Sequence, residues 1–262
     1  MEKQLTADKN TTGTGTLGLT SNHLKLIAIL AMAADHIAVT FLTAGMPLYI
    51  LLRFLGRFTA PIMFYQAVEG YHYTRNRSRY IGRMAIFAAI SYVPFIFFYT
   101  GRLPDGSNFY LMNVMYTIML GLLAIKARNE ISNPLLKTAA IMVLVILSLL
   151  GDQAYVCILI MLTMDYYRGS FKNQIFAYLL IILGISGLMT VFTTPFITLF
   201  YEQRLDFTPL WQGLHMFGLF VPIFILSLYN GKKGNGGNLA KWGFYVFYPL
   251  HMLILGLIKM VM

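Results

Sequence analysis

The sequence carries little charge: 11% of its 262 residues are Asp, Glu, Lys or Arg, against 58% hydrophobic. That balance excludes an ordinary soluble domain and indicates an integral membrane protein. Acidic residues are scarcer than basic ones, ten against twenty, for a net charge of +10. The excess does not indicate a nucleic-acid partner. The basic residues sit in short loops between apolar runs, where topology and anionic membrane lipids account for them. Cysteine occurs once, at Cys157 inside an apolar run, so no internal disulfide can form and the residue reads as a small core side chain. No repeat relates the two halves. The glycine-rich stretch 231–238 lacks the helix that follows a phosphate loop and reads as a flexible linker.

What the sequence has is long apolar runs. Nine are candidates for membrane spans: 24–44, 48–70, 81–100, 109–126, 135–150, 152–167, 173–194, 210–229 and 241–261. The fifth and sixth are short and separated only by Gly151-Asp152, so tilted or re-entrant segments are an alternative there. The expected fold is an all-α polytopic bundle of about nine transmembrane helices. Residues 1–22, polar and aperiodic, read as a disordered cytoplasmic tail, and 23–262 as a single transmembrane domain. Ala31-Met32-Ala33 resembles a signal-peptide cleavage site, but the apolar run continues past it, so no cleavage is expected. Fifteen of the twenty Lys and Arg residues fall on one side of the spans and three on the other, with Arg53 and Arg57 inside a span. The positive-inside rule then places the N-terminus in the cytoplasm and the C-terminus outside, in a cytoplasmic (inner) membrane.

The stretch 24–61 is the unusual one. Its two apolar runs, joined at Ala44-Gly45-Met46-Pro47, contain Asp35, His36, Arg53 and Arg57. A charge at a bilayer centre costs roughly 2.5–3.5 kcal/mol on an insertion scale, so such residues need partners or a polar cavity and mark functional sites. Counting outward from the turn puts Asp35, His36 and Arg57 at one level. Arg53 and Arg57, four apart, share a face, and Gly56 permits close approach of another group. Asp35 and His36 point about 100° apart and are not a dyad. Asp35 is expected to pair with Arg57, and His36 to face a cavity with Ala33, Thr40 and Thr43.

His251, in the last run, lies as far beyond Lys241 as His36 lies beyond Lys25, to within one residue. Both are therefore about 15–17 Å in from the cytoplasmic edge, which suggests a shared polar site, with Tyr248 on the face of His251. His36, His251 and Asp35 lack the close spacing of metal ligands, so no metal is expected. Arg75, Arg77 and Arg79 form a basic loop after the second span. It suits either lipid headgroups and orientation, or docking of a phosphorylated cytosolic molecule. Glu69 is level with Lys25, so a structural ion pair there is at least as much to be expected as a part in catalysis.

The ordered set Leu24, Lys25, Ile27, Ala28, Asp35 and His36, then Gly56, Arg57 and Pro61, then Tyr248 and His251, resembles the TraX family. Glu69-Gly70 and the arginine-rich loop fit the same resemblance, which spans 24–261. The family's namesake acetylates the N-terminus of F-type pilin, and the family is distantly similar to membrane acyltransferases that modify surface glycans. The resemblance implies transfer of an acyl, expected acetyl, group from cytosolic acyl-CoA to an amine or hydroxyl at or beyond the outer face, on a protein N-terminus or a glycan. In that frame His36, with Asp35 and His251, supplies catalysis. A neutral imidazole can accept a proton from the attacking group. Arg53 and Arg57 serve an oxyanion or a diphosphate, Arg75, Arg77 and Arg79 meet the donor's phosphates, and Gly56, Glu69 and Tyr248 support the site. Two other classes stay open: a transporter or proton relay, and a non-catalytic lipid- or partner-binding membrane protein.

Overall fold

In the computed structural model the described residues are 18–184, 188–204, 206–235 and 237–262, without the side chains of 188–191 and 237–241. Among them the protein is all-helical. The helices are α1 (Ser21–Phe41), α2 (Pro47–Gly56), α3 (Thr59–Tyr73), α4 (Arg77–Thr100), α5 (Val114–Glu130), α6 (Pro134–Ser148) and α7 (Ala154–Tyr166). There follow α8 (Phe171–Gly184), α9 (Leu188–Glu202), α10 (Thr208–Gly213), a 3₁₀ segment (Leu214–Phe220), α11 (Val221–Ser227) and α12 (Gly237–Val261).

Among the described residues five stretches are long and apolar enough to cross a membrane: α1, α2 with α3, α4, Thr208–Ser227 and Trp242–Val261. The helices α6, α7 and α8 are apolar but shorter, with 15, 13 and 14 residues. Each spans about 20–22 Å, less than the roughly 30 Å of a hydrocarbon core. The expected span 173–194 is divided between α8 and α9, and 109–113 precedes α5 as irregular chain. The outer surface is apolar: Leu135, Ile146, Phe176 and Leu180 are all more than half exposed. A monomer in water would not show such a belt; a membrane protein does.

Local sequence sets the ends and breaks. Thr20 accepts a hydrogen bond from the backbone N–H of His23, and His23 Nδ1 accepts from the N–H of Thr20, a reciprocal cap that starts α1. The expected disordered tail lies outside the described residues for 1–17. Gly18–Asn22 is tied into the fold, because Leu19 and Asn22 donate to the carbonyls of Leu228 and Lys233 and Asn230 donates to Leu19. The α2–α3 break follows from Pro61. Proline has no N–H to offer the carbonyl four residues back, and its ring clashes there; that residue is Arg57, where the helix stops. Gly218 in the 3₁₀ segment packs on this break. A Cβ there would lie 2.2 Å from the Phe54 carbonyl oxygen.

The core joins α3, α4, α5, α7, α8 and α12 through Phe64, Tyr71, Phe98, Ile118, Met161, Tyr178 and Met252, with Cys157 fully buried among them. A polar clamp ties α3, α5 and α7 where α3 ends. Buried Asp165 accepts from Arg128 and lies 2.5 Å from His72 Nε2. Glu69 pairs with Arg168 Nε at 3.0 Å rather than with Lys25. Arg168 sits in the α7–α8 turn, ninety-nine residues further on.

Candidate functional site

The bundle encloses a cavity of about 670 Å³, within the usual range for small-molecule sites. Along α1 its lining runs from Ser21 to His36, and along α4 from Tyr80 to Tyr99. Nineteen helical residues rise about 28 Å, so the cavity follows nearly a whole membrane thickness. Lys25, Gln66, Glu69, Arg83 and Lys233 line the end where α1 and α4 begin. Tyr99, Asp152 and Gln153 line the opposite end, at the α6–α7 turn. Gln153 and Ala154 have φ of +64° and +38° there, strained backbone for non-glycine residues.

His36, the last residue of α1 to line this cavity, is 6% exposed and touches His251, 8% exposed, across the α1–α12 contact. Their Nδ1 and Nε2 atoms are 2.7 Å apart, with ring centroids 5.0 Å apart and ring planes 21° from parallel, so the two imidazoles meet edge to edge. The other nitrogen of His251, Nδ1, is 2.7 Å from the Phe247 carbonyl. A carbonyl only accepts, so His251 Nδ1 carries a proton. In the neutral pair, His251 Nε2 then accepts from His36 Nδ1–H. The basic lone pair is thereby left on His36 Nε2, and His36 is the member of the pair that lines the cavity. The predicted cavity with Ala33, Thr40 and Thr43 is not where His36 points. Its ring packs against Phe98 and Tyr99, and Thr40 uses its hydroxyl on the His36 carbonyl.

Beside the histidines, two guanidiniums share one carboxylate. Arg53 Nη1 donates to Asp35 Oδ2 at 2.6 Å, while Arg57 Nη2 is 3.9 Å from Oδ1. The close partner of Asp35 is therefore Arg53 rather than Arg57. Both arginines reach the carboxylate from one face, so the expected pairing of Asp35 with Arg57 is present as the longer of the two contacts. All three side chains are about one-fifth exposed and line the cavity. Gly56 is what lets the helices meet: a Cβ there would fall 2.0 Å from Asp35 Oδ1. Tyr248 is buried beside His251, with ring centroids 5.9 Å apart.

Arg75 in the α3–α4 turn and Arg77 and Arg79 in the first turn of α4 are exposed and lie outside the cavity lining; Arg77 covers the ring of Tyr71. The basic residues that do line the cavity's end, Arg83 and Lys233, were not singled out from sequence, nor were Tyr99 and Gln153. Arg83 carried one signal, its place one turn beyond Arg79, where α4 turns apolar. Among the described residues no group of three or more His, Cys, Asp or Glu is arranged to hold a metal.

Residues 20–259 match the family described as "TraX protein". Among characterised relatives, the "Probable fimbrial assembly protein FimC, serogroup H1" of Dichelobacter nodosus is 32% identical over 243 residues, covering 90% of this chain and 94% of that protein. No solved structure gives a significant match.

Proposed function

Because the chain belongs to the TraX family, we propose that it is a membrane acyltransferase. It takes an acyl group, in the simplest case acetyl, from acyl-CoA and delivers it to an amine or hydroxyl acceptor on the other side of the membrane. The observation that carries this reading is the hydrogen-bonded His36–His251 pair, of which His36 lines a cavity about one membrane thickness long. Donor and acceptor can approach such a site from opposite ends. The end with Lys25 and Arg83 faces the cytoplasm on the positive-inside rule, and the end with Asp152 faces outward.

The chemistry follows from the geometry. The acceptor nitrogen or oxygen attacks the thioester carbonyl carbon while His36 Nε2 removes its proton. The carbon–sulfur bond then breaks, and the imidazolium returns the proton to the departing thiolate. His251 holds His36 in the productive tautomer. Arg53 and Arg57 offer positive charge to the oxyanion that forms on the carbonyl oxygen, and Asp35 fixes Arg53. The name of the Dichelobacter relative supports a pilin-type protein as acceptor; its N-terminal amine would suit the same chemistry. The reading is tested by reconstituting the purified protein in lipid nanodiscs with radiolabelled acetyl-CoA and candidate acceptors. Transfer of label that depends on His36 supports it. Absence of transfer, with vectorial movement of an ion or solute instead, would favour a transporter.

A further inference from the structure

Three cations line the cavity where α1 and α4 begin: Lys25, Arg83 and Lys233. They come from three places in the chain. Lys25 is in the second turn of α1, Arg83 in the second turn of α4, and Lys233 in the loop whose backbone binds Asn22 at 3.2 Å. Among the described residues none of the three forms an ion pair. The carboxylate at this end, Glu69, is already engaged by Arg168. Lys25 and Arg83 are only partly exposed, whereas Lys233 is exposed at the mouth, and the Lys25 ammonium lies 5.6 Å from the Phe244 ring centroid. Gln66, 5% exposed, lines the same end, and its Nε2 amide has no hydrogen-bond partner.

Partly desolvated cations such as Lys25 and Arg83 are costly without counter-ions unless an anion joins them. A buried amide donor with no acceptor carries a penalty of the same kind. The arrangement therefore fits a polyanion with several acceptor oxygens. From Lys25 to His36 is eleven residues along one helix, about 16 Å. That is of the order of the pantetheine arm that separates the phosphates of coenzyme A from its thioester.

We propose that Lys25, Arg83 and Lys233 bind the phosphates of the donor nucleotide and so place the thioester at His36. This rests on the acyltransferase reading. The exposed Arg75, Arg77 and Arg79 are then outside the donor site. A lipid headgroup offers the same phosphate chemistry but carries no thioester arm to the histidines.

The test compares acetyl-CoA with acetyl-pantetheine, which has the arm and the thioester but no nucleotide, using full-length protein in nanodiscs. Wild type should prefer acetyl-CoA by at least tenfold in kcat/KM. Lys25→Gln, Arg83→Gln and Lys233→Gln should each raise the acetyl-CoA KM several-fold with kcat unchanged, the pattern of lost uniform binding. They should leave acetyl-pantetheine kinetics alone, and the triple variant should abolish the preference. Arg75→Gln is the control and should keep it. Variants that retain the wild-type preference would overturn the proposal. A second measurement, binding of radiolabelled CoA, stands even if no acyl transfer is found. Loss of binding in the triple variant supports the phosphate site independently of transfer. Unchanged CoA binding overturns it, and if dependence on added phosphatidylglycerol is lost at the same time, the cations belong to a lipid headgroup.

Discussion

Gly56 and Asp35 touch so closely that no side chain fits between them. A Cβ on Gly56 would lie 2.0 Å from Asp35 Oδ1 and 2.4 Å from Asp35 Cβ. The α1–α2 contact that carries the Asp35–Arg53 pair therefore depends on a missing methyl group. Gly56→Ala should lower stability by about 1–3 kcal/mol through overpacking and displace the carboxylate. Thermal unfolding in detergent checks this. Gly82→Ala, where a Cβ meets nothing within 4 Å, is the control and should be neutral or slightly stabilising, since alanine favours the helix.

A second expectation concerns which arginine holds Asp35. The 2.6 Å contact to Arg53 and the 3.9 Å approach of Arg57 imply unequal couplings. In double-mutant cycles on folded yield, Asp35→Ala with Arg53→Ala should show the larger interaction energy. Equal couplings, or a larger one to Arg57, would contradict the geometry.

The clamp at Asp165 should matter for stability and not for chemistry, because it lies outside the cavity lining. Its side chain is 2% exposed and engaged by Arg128 and His72. Breaking a buried pair by removing one partner costs about 3–5 kcal/mol. Arg128→Met should lower the Tm markedly while leaving the activity of the remaining folded fraction unchanged.

Topology can be checked without any assay of activity. A reporter fused after Arg79 should lie in the cytoplasm and one fused after Met262 outside. Both on the same side would require an even number of crossings between them.

Much of this was legible in the sequence, and the reasons for the misses are physical. His36 and His251 could be matched in depth because each sits in an uninterrupted helix, where residue number converts to height. The same counting put Arg57 level with Asp35, and the 3.9 Å contact between them agrees, but it gave no sign that Arg53, one turn earlier, would be the closer partner. The apolar character of the chain was plain from composition. The span count was not, because α6, α7 and α8 have lipid-like composition without the length. Glu69 found a partner ninety-nine residues away, and Lys25, Arg83 and Lys233 meet only through packing; neither leaves a local pattern. The 3₁₀ segment carried only a faint signal in Gly218 and Pro222.

The most direct measurement is single-turnover transfer of label from radiolabelled acetyl-CoA by purified protein in nanodiscs, wild type against His36→Gln. Glutamine keeps hydrogen bonding and removes basicity, so transfer should fall by about 10²–10⁴-fold, with CoA binding intact. His251→Gln should do less harm, because its amide oxygen can still accept from His36 Nδ1–H. Wild-type transfer should also decline as the pH is lowered and the histidine pair is protonated. Near-normal transfer by His36→Gln would contradict the assignment of His36 as the base.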